Sequence, residues 1–219
     1  MFFEALSKPF DDRDHEWVLQ RRNRQSGTKW LAPYIRKPSI IKRLVEVVGF
    51  GGFSIDTHHT YTRTNDDGKF EVAYTATLTI TTPNGEVHFT DAGSASSGQL
   101  ITAEKGASTD AIKRAAKLAG IGLYLDMGNL YIEVPDNDRT EPLIRFRGSE
   151  PVAVHPSIRV NFGSIAGSRL NEVDQDKMYA MYNWLKEEQG EGYRYEQDNT
   201  LFAIFKAIEE FFPNVTGAH

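Results

Sequence analysis

Residues 70–80 alternate between two turn signals, Asp66-Asp67-Gly68 before them and Pro83-Asn84-Gly85 after. Phe70, Val72, Tyr74, Ala76, Leu78 and Ile80 share one face. Glu71, Thr75, Thr77 and Thr79 share the other. A period of two marks a half-buried strand, and a tight turn at each end makes its neighbours antiparallel. Residues 53–64 are β-rich, and residues 86–92 return with Val87 and Phe89 apolar. The spacing predicts a meander of three strands, and its single apolar face demands a cover.

The next periodic stretch can supply that cover. Residues 93–98 read as a small-residue loop and residues 108–119 as a helix, with Thr109 at the N-cap and Asp110 in the first turn. Gly106 weighs against extending this helix upstream. At 100° per residue, Ala111, Ile112, Ala115, Ala116, Leu118 and Ala119 form one arc, and Lys113, Arg114 and Lys117 another. One arc would dock on the sheet while the other presents three cations.

Before the meander, residues 2–7 start a short helix ended by Pro9. Residues 15–23 and 29–35 read as strands around a loop. Pro38 sits at a helix start and Gly49 at its stop. Ile40, Ile41, Leu44, Val47 and Val48 face inward there, and Ser39, Lys42, Arg43 and Glu46 outward. After Leu125, residues 129–134 and 143–147 suggest strands, and 173–188 and 199–212 two acidic, aromatic helices. The fold class is α+β, with a β-β-β-α core and a helical C-terminal extension.

The net charge of −5 argues at first against a nucleic-acid partner. Its distribution reverses that argument. The first 120 residues carry 16 Lys/Arg against 14 Asp/Glu, so the excess acid lies in the remainder. Eight basic residues fall between Trp17 and Val45 with no acid among them, interleaved with Trp17, Trp30 and Tyr34. Cations for phosphates and rings for bases make a groove for single-stranded nucleic acid. A solvated basic face over core aromatics has the same composition.

Catalytic signatures are sparse. Gly49-Phe50-Gly51-Gly52 follows its helix, whereas a phosphate loop precedes one, and no Gly-Lys-Ser/Thr accompanies it. ATP-driven chemistry is disfavoured. His58 and His59 alternate across a strand and would not share a metal ion. Glu71, His88 and Asp91 suggest a nuclease cluster, but they fit the polar face of the meander better. The chain has no cysteine, which excludes disulfides, a thiol nucleophile and Cys-bound metal, and suits a reducing compartment. No cofactor is expected. The N-terminus lacks the pattern of a secretory signal.

Three stretches carry a family resemblance. Residues 29–53, KWLAPYIRKPSIIKRLVEVVGFGGF, supply a tyrosine-led strand, a helix and a glycine-aromatic turn. Gly68-Lys69-Phe70 opens the alternating strand. Thr109-Asp110-Ala111-Ile112-Lys113-Arg114-Ala115 is the most specific, followed by Gly120 and Leu123-Tyr124. On these residues the chain resembles the N-terminal annealing domain of the Rad52 family, phage and bacterial members included. The resemblance implies a ring of protomers with a basic groove, binding single-stranded DNA and annealing complementary strands without ATP or enzymatic turnover. It assigns Tyr34, Lys113, Arg114, Lys117 and either Arg21 or Arg22 to an inner groove, and Lys69 to an outer duplex-contacting site. Ser39 stands where eukaryotic members often carry a basic residue. The expected organisation is an annealing domain over residues 1–130 and an acidic, mainly helical region over 131–219. That region, with Trp184 and the run from Phe205 to Phe212, would recruit a single-strand-binding protein or another recombination partner. The alternative reading is an end-protecting or partner-recruiting ring with little annealing activity. The expected location is the cytoplasm of a bacterial or phage-infected cell.

Overall fold

The computed structural model describes residues 2–128, 130–190 and 192–217. It divides into two compact units. One comprises the chain up to Glu16 together with Ile35–Leu123, and the other comprises Trp17–Tyr34 together with the chain from Tyr124 onward. The elements are α1 (Phe2–Ser7), β1 (His15–Asn23), β2 (Thr28–Ile35), α2 (Lys37–Val48), β3 (Phe53–Thr64), β4 (Phe70–Thr82), β5 (Gly85–Ser97) and α3 (Leu100–Leu118). There follow β6 (Ile132–Pro135), β7 (Leu143–Arg147), β8 (Glu150–Val154), α4 (Gln175–Leu185), β9 (Glu188–Gln189), β10 (Gly192–Tyr193), α5 (Asn199–Phe211) and α6 (Pro213–Thr216).

The first unit is built on the expected meander. β3, β4 and β5 form an antiparallel sheet in that order, with Phe53 opposite Ile80 and Phe70 opposite Ser97. Gly68 and Gly85 take positive φ in the two turns, where a side chain would be strained. Val72, Ala76, Leu78 and Ile80 are buried. On the opposite face, Thr77 bonds Thr90 at 2.9 Å and Thr79 bonds His88 at 2.9 Å. β3 carries an irregularity between His59 and Tyr61.

The segment from Gly93 to Thr109 differs from its reading. β5 continues to Ser97, and α3 starts at Leu100 and runs through Gly106. The small residues mark close helix–sheet packing rather than a loop. A Cβ at Gly93 would lie 2.1 Å from the Ala111 backbone nitrogen, and one at Gly106 would lie 2.8 Å from the Ala95 Cβ. Thr109 is therefore interior to α3 and caps nothing. The N-cap is Gln99, whose side chain makes no capping bond. Ala103, Ala107, Ala111, Ile112, Ala115 and Ala116 form the buried face, while Leu118, the last helical residue, is exposed.

α2 buries Ile40 and Leu44 and ends at Gly49, with φ of 79°. Ser39, expected outside, is buried because its hydroxyl donates to Asp14 Oδ1 at 2.7 Å. Arg43, also expected outside, donates to the carbonyls of Leu6 (3.2 Å) and Lys8 (2.6 Å) and stacks over Phe10. It closes the end of α1 onto α2.

β1, β2 and β6 form a sheet in that order, with β6 antiparallel to β2; it belongs to the second unit except for His15, Glu16 and Ile35, which belong to the first. β7 and β8 form a hairpin. The core gathers Val154, Leu170, Met178, Leu185, Ile204, Phe205 and Ile208. α4 and α5 start on aspartate caps: Asp174 accepts from the Lys177 amide and Asp198 from the Leu201 amide. Tyr195 and Tyr182 stack near-parallel with Phe205, at 4.0 and 5.3 Å between centroids. The C-terminal aromatics read as a recruiting surface are thus largely core. Phe205 is buried, and Trp184 stacks on Phe162 at 5.0 Å.

Candidate nucleic-acid interface

The docking of α3 decides where its cations go. Its alanine face lies against β4 and β5, so Lys113, Arg114 and Lys117 fall on the opposite side. Lys113 and Lys117 are one turn apart, and Arg114 sits three residues before Lys117, so the three form one patch. The patch comes with its own acids. Lys113 pairs with the Glu16 carboxylate. Arg114 Nε donates to Asp110 Oδ2 at 3.1 Å. Asp110 also accepts from the Ser94 amide at 3.2 Å, which fastens it to β5. The patch is therefore partly neutralised by carboxylates of its own unit. An exposed i,i+4 pair such as Asp110–Arg114 contributes only about 0.3–0.5 kcal/mol, so a phosphate can compete for Arg114.

Lys69 belongs to the same unit but to another place. It is exposed after the β3–β4 turn, where its amide donates to Asn65 Oδ1. Phe70 pairs with Ser97, at the end where α3 begins. Thirteen residues of helix separate Leu100 from Lys113, a rise of about 20 Å. Lys69 is therefore not part of the α3 patch.

Arg21, Arg22 and Tyr34 lie in the second unit. Arg21 and Arg22 are exposed on β1, the edge strand of its sheet. Arg22 Nε pairs with Asp136 at 2.9 Å. Tyr34 is half-buried on β2. Other members of the basic cluster do structural work. Lys29 donates to the carbonyls of Asp136 and Asp138, and Arg36 to that of His15. Lys29, Arg36 and Arg43 thus hold backbone carbonyls, a role that neither reading of the cluster anticipated.

The polar residues of the meander bond one another. Tyr61 and Arg63 bond Glu71 and hold its carboxyl below the usual range. His88 bonds Thr79. Among the described residues no group of three or more His, Asp or Glu side chains could hold a metal ion. Ser157, Asp138 and His155 lie together, but His155 is fully buried and its Nδ1 accepts the Ser157 amide rather than the hydroxyl. The hydroxyl donates to Asp138 at 2.5 Å instead. Burial pushes the His155 pKa down. This is a structural polar network without an activated nucleophile.

Sequence reasoning missed Glu16, which reaches Lys113 across 97 residues with no local signal. The Asp110–Arg114 pair was readable from its spacing of four.

A family model described as the Rad52/22 family double-strand break repair protein matches residues 2–141. The match runs from α1 through β6 and includes the α3 patch. No curated protein matches the chain.

Proposed function

Because the chain belongs to the Rad52/22 family of double-strand break repair proteins, we propose that it binds single-stranded DNA and anneals complementary strands without ATP. The observation that carries this reading is the patch of Lys113, Arg114 and Lys117 on the sheet-free side of α3. Cations one turn apart suit successive phosphates along a strand, and neutralising them releases condensed counterions. Phosphate contacts carry no sequence information, so binding is sequence-blind.

One protomer's patch is too small for tight binding. Repeated around a ring of protomers, the patch becomes a track, and linkage raises affinity through effective concentration. The family resemblance also assigns Tyr34 and one of Arg21 or Arg22, which belong to the second unit, to DNA contact, and Lys69 to a separate contact. The strand is held extended with its bases free to test register. Base pairing supplies the free energy, and the protein makes and breaks no bond. The acidic C-terminal region stays off the DNA and is available to a recombination partner.

The test mixes the protein with complementary oligonucleotides without ATP or metal. Pairing faster than the spontaneous rate, lost in Lys113→Ala/Arg114→Ala, is the expected result. DNA bound but paired only at the spontaneous rate would favour an end-protecting ring. Electron microscopy of the same sample checks for rings.

A further inference from the structure

The two acids of the α3 patch are held differently. Asp110 is on α3 itself, 31% exposed, and tied to β5 by the Ser94 amide. It stays in place whatever Arg114 does, and so orients that guanidinium. Glu16 comes from β1 and pairs with Lys113, and its side chain is 41% exposed. It has no backbone anchor among the described residues. Lys113 is only 16% exposed. An ammonium so withdrawn from water requires an anion beside it.

We propose that Glu16 is a built-in stand-in for a DNA phosphate, a competitor that must be displaced from Lys113 when a strand enters. This rests on the annealing reading above. Entry then exchanges one ion pair for another: the Lys113–carboxylate contact opens as the Lys113–phosphate contact forms. The displaced carboxylate is left near the incoming phosphate, and the two repel. Lys113 therefore adds geometry to the grip but little net affinity. A strand held this way can leave and rebind, which a search for register requires. The exchange also alters the salt dependence. A solvent-facing cation that meets a single-stranded phosphate contributes about 0.7 to the slope of log K against log salt. Lys113 contributes less, because Glu16 takes up counterions as it is released.

The test measures binding of a labelled oligothymidine to the full-length protein over a range of sodium chloride concentrations. Glu16→Gln keeps the shape and removes the charge. It should bind about two- to five-fold tighter at low salt, with a slope steeper by up to about 0.7. Both changes should vanish in a Lys113→Ala background. Unchanged or weaker binding by a Glu16→Gln protein with wild-type melting overturns the proposal, as does a gain that survives Lys113→Ala. A second measurement does not depend on Glu16→Gln folding. In the otherwise wild-type protein, Lys113→Ala should lower the slope by well under 0.7, and a drop of the full ~0.7 overturns the proposal. A wild-type protein that binds no oligothymidine would instead sink the annealing reading itself.

Discussion

The α3 patch of the first unit and the aromatic core of the second use cations in opposite ways. In the first, Arg114 and Lys69 are exposed, and the α3 patch lies on the outside of a helix whose other face is almost all alanine. Around the second unit's core, cations turn inward. Arg169 donates to the Ser157 carbonyl in the interior, Arg194 lies over Trp184, and Lys206 lies over Phe205. Packing differs in parallel. The first unit achieves close approach with glycine and alanine, and the second fills volume with stacked rings. Formal charge is thus a poor measure of available charge. Lys29 and Arg36, from the most basic stretch of the chain, are bonded to backbone carbonyls.

The largest test of this contrast is Phe205→Ala. It removes the ring between Tyr195 and Tyr182, and should lower stability by about 3–5 kcal/mol in urea denaturation. Oligonucleotide affinity of the protein that stays folded should remain within about twofold, since the α3 patch is untouched. A large affinity loss in folded protein would show that the aromatic core around Phe205 contributes to binding. Gly93→Ala attacks the first unit by the reverse route. Its Cβ meets backbone that cannot yield cheaply, so about 1–3 kcal/mol should be lost by overpacking, read as a lowered melting temperature. Wild-type melting would mean that α3 is not seated so closely on β5.

Lys113→Ala/Arg114→Ala should weaken single-stranded DNA binding about tenfold at low salt with little change in melting. Equal affinity would remove the patch from the interface. The smallest effect is a pH slope. Among the described residues each unit buries one histidine, His15 and His155. Burial pushes both pKa values down, against the pull of Asp12 on His15 and of the Thr140 carbonyl on His155. Each is neutral when folded, so the unfolded chain binds more protons as pH falls below about 6.5. Stability is fully present above that pH and declines below it. His155→Gln should flatten the decline in melting temperature without abolishing it, because His15 remains. An unchanged slope would exonerate His155.

Much of the first unit was legible in the sequence. The alternation over residues 70–80 and the two glycine turns determine the strand order. The spacing of Lys113, Arg114 and Lys117 places them on one side of α3. The misreadings share a cause. Gly93, Gly106 and Ser39 look like loop or surface residues because their sizes and polarity permit that. Their real roles are a helix pressed onto a strand and a hydroxyl bonded to Asp14. The C-terminal aromatics misled for the same reason, since composition does not distinguish a ring that stacks inside from one that waits outside.

The sequence by itself determined the local periods, the turns and the side of α3 that carries charge, because these follow from bond geometry between near neighbours. Only the tertiary structure decided that Glu16 meets Lys113, that Lys29 and Arg43 are bound to carbonyls, and that Trp17–Tyr34 groups with the chain beyond Tyr124. Those pairings join residues far apart in the chain. They depend on which faces are buried together, and that is a property of the folded whole.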